Sequence, residues 1–199
     1  MLLDAVPVVD LIAQRLLAAF DTGLTWPMGL LGLGALALYG LLALPFGLKS
    51  KFLVRQNAVA SPLSLGLDAL RRLIAPALVE ETVFRVMLLP HPMAGLPSDR
   101  WLLWGSVSLV AFVVYHVVLD KTLYKGAEAG LSDPRFLLLA GWLGLVLIGA
   151  YWITGSLWLV TLMHWVVVLV WIYGFGGWVR LGGAAAFTRQ SRKLAETER

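Results

Sequence analysis

The sequence predicts an all-α, polytopic membrane helix bundle, with about five transmembrane helices preceded by an N-terminal amphipathic helix. Three observations carry this. Of the 199 residues, 59% are hydrophobic and 14% charged, against about 25% charged in a soluble domain. The mean hydropathy is +0.81. The apolar residues fall in runs of about 20, the length a helix needs to cross the hydrocarbon core. Cysteine is absent, which excludes a disulfide framework, a thiolate metal site and a Cys nucleophile. The net charge is +4, but the basic residues sit in short clusters between apolar runs. A lipid bilayer, and no nucleic acid, is therefore the expected partner.

The elements follow in order. Residues 1–27 form an N-terminal segment in which Asp10, Gln14 and Asp21 fall roughly on one helical face, the pattern of an interfacial helix, with a short extra span as the alternative. Asp4 and Asp10 stand where a signal peptide would carry positive charge, so this segment is read as part of the mature chain. Candidate spans cover about 28–48, 70–90, 101–119, 135–153 and 156–179, within a transmembrane domain of residues 28–180. A polar tail follows at 181–199. Gly29, Gly32, Gly34, Gly141 and Gly144 are expected to let helix backbones approach closely in lipid.

Orientation follows from Lys and Arg. Lys49, Lys51 and Arg55 follow the first span, Arg71 and Arg72 open the second, Lys121, Lys125 and Arg135 separate the third from the fourth, and Arg180, Arg189, Arg192, Lys193 and Arg199 follow the fifth. The opposite side has Arg15 and Arg100. This predicts an outside N-terminus and a cytoplasmic C-terminus. Trp26, Trp101, Trp104, Trp152 and Trp158 fall at predicted outer ends, where amphipathic rings prefer to sit.

Ionisable groups inside a span are costly and usually face a cavity or one another. Here they are Glu80, Glu81 and Arg85 in the second span, His116 in the third and His164 in the fifth. Glu81 and Arg85 are four residues apart, so they share a helix face and can pair. Glu80 lies about 100° around the helix and is free to point elsewhere. A desolvated carboxylate of this kind can take a proton from water. Asp120, four residues after His116, can share its face and accept the imidazole's second N–H; Lys121 or water is the alternative partner. Ser106, Ser108 and Ser156 lack the context of an activated nucleophile. His91, beside Pro90, is expected to be a solvated loop residue.

Glu80-Glu81-Thr82-Val83-Phe84-Arg85 matches the pattern EExxxR, and Phe112 to His116 matches FxxxH. His164 matches a later motif in which asparagine follows histidine by four residues. This ordered set, within 75–171, resembles the CAAX-processing and bacteriocin-processing (CPBP) family of intramembrane glutamate endopeptidases. The resemblance implies that Glu80 activates the hydrolytic water, helped by His116, and that His164 stabilises the oxyanion. It implies that Glu81 and Arg85 hold the site or contact the substrate, with Phe112 supporting, that there is no cofactor, and that the substrate is a membrane-anchored peptide or protein. One position departs: Val168 stands where the family's asparagine would complete the oxyanion hole. Losing such a donor costs a factor on the order of 10² to 10³ in rate.

Two other readings remain open at this stage. Glu80, His116 and His164 are also a legitimate zinc ligand set with an open water position, although no HExxH is present. Alternatively, the cluster is interhelical glue in a membrane scaffold or partner-binding protein, a reading that Val168 favours.

Overall fold

The computed structural model describes residues 8–56, 58, 61–125 and 130–182; the tail at 183–199 and residues 1–7 lie outside the described residues. Helix α1 (Val8–Asp21) precedes α2 (Trp26–Lys49) and α3 (Pro62–Arg72). Helix α4 spans 73–87 in consecutive turns Leu73–Leu78, Val79–Glu81 and Thr82–Met87, the first and last of them wide, with i→i+5 pairing. Then come α5 (Ser98–Lys121), α6 (Pro134–Thr154), α7 (Leu157–Gly174) and the short α8 (Gly177–Arg180).

The helix starts are written in the sequence. The Ser61 side chain accepts from the Ser64 N–H at 3.2 Å, and Pro62 fills the first turn of α3. Asp133 caps α6 in the same way, ahead of Pro134, and Ser156 caps α7. Gly155 closes α6 at a φ of +65°, a conformation glycine adopts without strain.

Among the described residues, four helices, α2, α5, α6 and α7, are long and apolar enough to cross a membrane. The predicted span at 70–90 is corrected: it is not one continuous helix. The backbone is extended at Ala75 (φ −134°, ψ 117°) ahead of Pro76, as expected for a residue preceding proline. That predicted span is thus a broken segment, running through α3 and then α4 from the end of α2 to the start of α5. The predicted span at 156–179 is also shortened. It ends at Gly174, where Gly176 turns with a φ of +86° before α8. Val54, Gln56 and Ala58 donate backbone N–H groups to carbonyls of Phe175, Gly174 and Tyr173, satisfying the end of α7.

Both ends of the bundle are tied. At the basic end, Arg135 Nη1 donates to Ser50 O at 2.8 Å, and Arg180 stacks over the Phe52 ring at 4.6 Å. At the other end, α1 packs on α4 and α7. Arg15 donates to Met87 O at 2.8 Å, Ser156 to Thr22 O at 3.0 Å and the Trp158 indole to Phe20 O at 3.2 Å. Trp101 lies at this end as predicted, but stacked on Trp152 with ring centroids 4.8 Å apart and buried. Of the glycines, Gly32 sits against Leu159 and Met163, and Gly144 against Leu109 and Phe112, whereas Gly29 and Gly34 face open space.

His91 is a third correction. It is buried, not solvated. Its Nδ1 accepts from the Met93 N–H at 3.3 Å, so Nε2 carries the proton and donates to Gly155 O at 3.3 Å. The loop after α4 is thereby latched to the α6–α7 turn, and Tyr151 presents its ring edge-on at 6.1 Å.

Candidate active site

Glu80 and Glu81 occupy the middle turn of α4, between its two wide turns. Adjacent residues of a helical turn diverge by about 100°, so the two carboxylates point apart. Glu80, Glu81, Arg85, His116 and His164 are all buried. They come from three helices, α4, α5 and α7, and they meet.

Glu80 Oε2 lies 3.9 Å from His116 Nε2 and 3.9 Å from His164 Nε2. Both separations exceed a direct hydrogen bond, and Oε2 has no hydrogen-bond partner among the described residues. Each imidazole is pinned by its other nitrogen. His116 Nδ1 donates to Phe112 O, one turn back in α5, at 2.8 Å. His164 Nδ1 donates to Glu81 Oε1 at 2.8 Å. Both Nε2 atoms therefore face Glu80.

Glu81 has two partners, where the sequence suggests one. Beyond His164, its Oε2 lies 3.1 Å from Arg85 Nε, an ion pair whose N–H direction falls short of a hydrogen bond. The Arg85 guanidinium also stacks over Phe112 at 4.7 Å. Phe112 is the hub of the site: its ring meets Phe84 edge-on at 5.3 Å and His116 at 4.6 Å.

Asp120 does not join this group. Its Oδ1 accepts from the Leu131 N–H at 3.0 Å, and Oδ2 takes the Ser132 hydroxyl. The correction has a physical reason. The acceptor one turn back, Phe112 O, already satisfies His116, while the loop before α6 supplies donors to a carboxylate at an electronegative helix end. Ser108, passed over in the sequence, donates to Phe84 O at 2.6 Å and ties α5 to the last wide turn of α4. Its signal was the spacing of Ser108, Phe112 and His116, four residues apart on one face of α5.

A cavity of about 430 Å³ reaches Glu80, His116 and His164 and extends to the basic end of the bundle. Its walls are mainly apolar and aromatic, including Tyr39, Phe52, Tyr115, Phe136 and Trp171. Val168, one turn after His164, lies on the same wall. Among the described residues, no three His, Cys, Asp or Glu side chains stand in an arrangement that could hold a metal ion.

A buried carboxylate thus faces the Nε2 atoms of two oriented imidazoles at the head of a mainly apolar cavity. The family of type II CAAX prenyl endopeptidases, Rce1-like, matches residues 62–170, and the chain belongs to that family. No curated protein and no solved structure matches the chain. The matched segment covers α3, α4, α5, α6 and most of α7, and so contains every residue of the cluster. Membership makes the chain, in general terms, a CAAX-type intramembrane protease, and the apolar helices agree with that setting.

Proposed function

We propose that this protein is a glutamate-type intramembrane endopeptidase, in which Glu80 and His116 activate a water that hydrolyses a peptide bond of a membrane-associated substrate. The observation that carries the reading is the pair of 3.9 Å separations from Glu80 Oε2 to the two Nε2 atoms. Water held among these groups attacks the scissile carbonyl carbon and gives up a proton. Glu80 is the acceptor, and the unprotonated His116 Nε2 orients the water. The carbonyl becomes an oxyanion. The C–N bond then breaks, and the proton passes from Glu80 to the departing amine.

His164 is the oxyanion donor in this reading. Because its Nδ1–H is committed to Glu81, Nε2 can donate only from the imidazolium form. Glu81 then balances that cation, much as a buried aspartate balances a catalytic histidine. With both carboxylates ionised, Arg85 and the imidazolium bring the cluster to neutrality. Val168 adds no second donor, so His164 carries the oxyanion without the partner that asparagine would supply.

The substrate enters from the basic end, to which the cavity extends. By the excess of Lys and Arg, that end lies in the cytoplasm.

The deciding assay uses purified protein and membrane-anchored peptide substrates. Glu80→Gln should cut the rate by about 10² to 10⁴ while the protein accumulates normally, and Val168→Asn should raise it. Cleavage at full rate in Glu80→Gln would end the glutamate mechanism. No cleavage by any folded variant would favour a scaffold, with the cluster as interhelical glue. A zinc reading has one observation in its favour, the second nitrogen of each imidazole held by a carboxylate or carbonyl as in metal-bound histidines, and one against it, that no three such side chains among the described residues are arranged to hold a metal ion. Loss of activity to a chelator, restored by zinc, would select it.

A further inference from the structure

In the proposed mechanism the oxyanion has one donor, His164 Nε2, and an oxygen gaining charge in a water-poor site is better held by two. The cavity wall carries three tyrosines, Tyr39, Tyr115 and Tyr124, which the mechanism does not use. Among the described residues, the hydrogen-bonded tyrosine hydroxyl is that of Tyr173, on Leu65 O and Asp68, so the three on the wall are free to donate. Their helices tell them apart. Tyr115 and Tyr124 belong to α5 and the turn after it, on the side of His116. Tyr39 belongs to α2, which packs against α7, the helix of His164.

The register of α2 on α7 sets the depth of Tyr39. Both helices run toward the basic end, and Gly32 stands against Leu159 and Met163. Neighbouring parallel helices advance together, at about 1.5 Å per residue. Tyr39 follows Gly32 by two turns on nearly the same face, and so lies level with Val168. Leu36, Tyr39, Gly40 and Ala43 form the α2 stripe of the cavity wall, beside Val167 and Val168 of α7. Tyr39 is the polar side chain of that stripe. Helical side chains lean toward the N-terminal end of their helix. For α2 that is the outer end, so the phenol leans from the depth of Val168 toward that of His164. Its ring packs on two core clusters, one containing Leu143 and Met163, the other Ala43 and Leu139.

We propose that Tyr39 is a catalytic residue, the second donor to the oxyanion, working beside His164 where Val168 offers no donor. The inference rests on the reading of Glu80 as the base and His164 as the first donor. As water adds to the scissile carbonyl carbon, the carbonyl π pair moves onto oxygen. The phenol O–H and the imidazolium N–H both donate to that oxygen. The phenol keeps its proton, and no bond of Tyr39 forms or breaks. Its hydrogen bond strengthens as the charge grows, so it favours the transition state over the bound substrate. Tyr39 lies outside the segment matched to the family.

Tyr39→Phe removes the hydroxyl and keeps the packed ring. Full-length variants in lipid nanodiscs are assayed on a membrane-anchored peptide. Tyr39→Phe should lose a factor of about 10² to 10³ in kcat, with KM and the thermal midpoint close to wild type. Val168→Asn places an amide one turn past His164. It should raise the rate of Tyr39→Phe by a larger factor than it raises that of wild type, because the two donors serve one oxygen. A structural role for Tyr39 would give no such rescue. A peptide phosphonamidate, whose P–O⁻ stands in for the oxyanion, reads the same contact without turnover. Tyr39→Phe should weaken its binding, measured by fluorescence anisotropy, by about the factor lost in kcat. Wild-type kcat in Tyr39→Phe overturns the proposal. So does an equal effect of Val168→Asn in the two backgrounds, or equal phosphonamidate affinity. Glu80→Gln, run alongside, reports on the base separately. An inactive Glu80→Gln beside a full-rate Tyr39→Phe ends the Tyr39 assignment alone, whereas full-rate cleavage in Glu80→Gln ends both.

Discussion

Arg85 is wholly buried, with Glu81 as its ion-pair partner and the Phe112 ring beneath it. A buried pair of this kind is worth little against apolar packing, yet it is costly to break from one side. Arg85→Ala strands Glu81, which then has only His164, and should lower stability by about 3 to 5 kcal/mol. Thermal unfolding in detergent reads this directly, and an unchanged midpoint would place Arg85 outside the structural framework. His91 makes a second prediction. Burial pushes its imidazole below the ordinary histidine value, against the opposing pull of Gly155 O. The fold therefore prefers neutral His91, while the unfolded chain takes up a proton below about pH 6.5. The associated stability is present in full above that pH and is lost as pH falls below it. Stability should decline between about pH 7 and pH 5, and the decline should flatten in His91→Gln; parallel slopes for the two proteins would exclude His91 as the titrating group. Gly155→Ala should be costly at any pH. A left-handed φ strains alanine by about 1 to 3 kcal/mol, and the added Cβ would stand 2.5 Å from His91 Nε2.

At the scale of elements, the site depends on α4 being irregular. Pro76 interrupts the helix below the carboxylates, and wide turns flank them, so backbone groups are released that a lipid-facing helix could not leave unpaired. Thr82 Oγ1 donates to Leu78 O at 2.7 Å, and Ser108 Oγ to Phe84 O. Ser108→Ala removes the second donor and leaves a buried carbonyl short of a partner, at about 1 to 3 kcal/mol. It should also lower the cleavage rate, since Glu80 and Glu81 lose their tie to the helix that carries His116. Wild-type stability and rate in Ser108→Ala would show that α4 holds its shape unaided. Asp120 makes the opposite case. It anchors the loop before α6 rather than His116, so Asp120→Ala should loosen that loop to hydrogen exchange while the pH dependence of cleavage stays as in wild type.

At the scale of the whole molecule, α2 and α7 run toward the basic end, α3–α4 and α6 away from it, and α5 back to it. With the broken α3–α4 segment taken as a fifth crossing beside the four apolar helices, the excess of Lys and Arg at one end predicts described ends on opposite sides of the membrane, with α1 outside. Reporter fusions at the two termini should show an outside N-terminus and a cytoplasmic C-terminus, and a C-terminal reporter on the outer side would reverse the direction of substrate entry.

The sequence by itself determined the helical class, the long spans, the helix caps and the identity of the buried ionisable residues. These follow from runs of apolar residues and from local chemistry within one or two turns, where the chain's own spacing sets the geometry. The break at Ala75 has a local signal in Pro76, which the reading of a single span at 70–90 passed over. The tertiary structure decided which nitrogen of each histidine faces Glu80, that Glu81 serves His164 as well as Arg85, that Asp120 belongs to a loop, and that His91 is buried. Each of these depends on a partner 11 to 83 residues away or, for His116, on a choice between two acceptors one turn to either side. Helix periodicity states which face a side chain occupies. Only the packing of one helix against another states what that face meets.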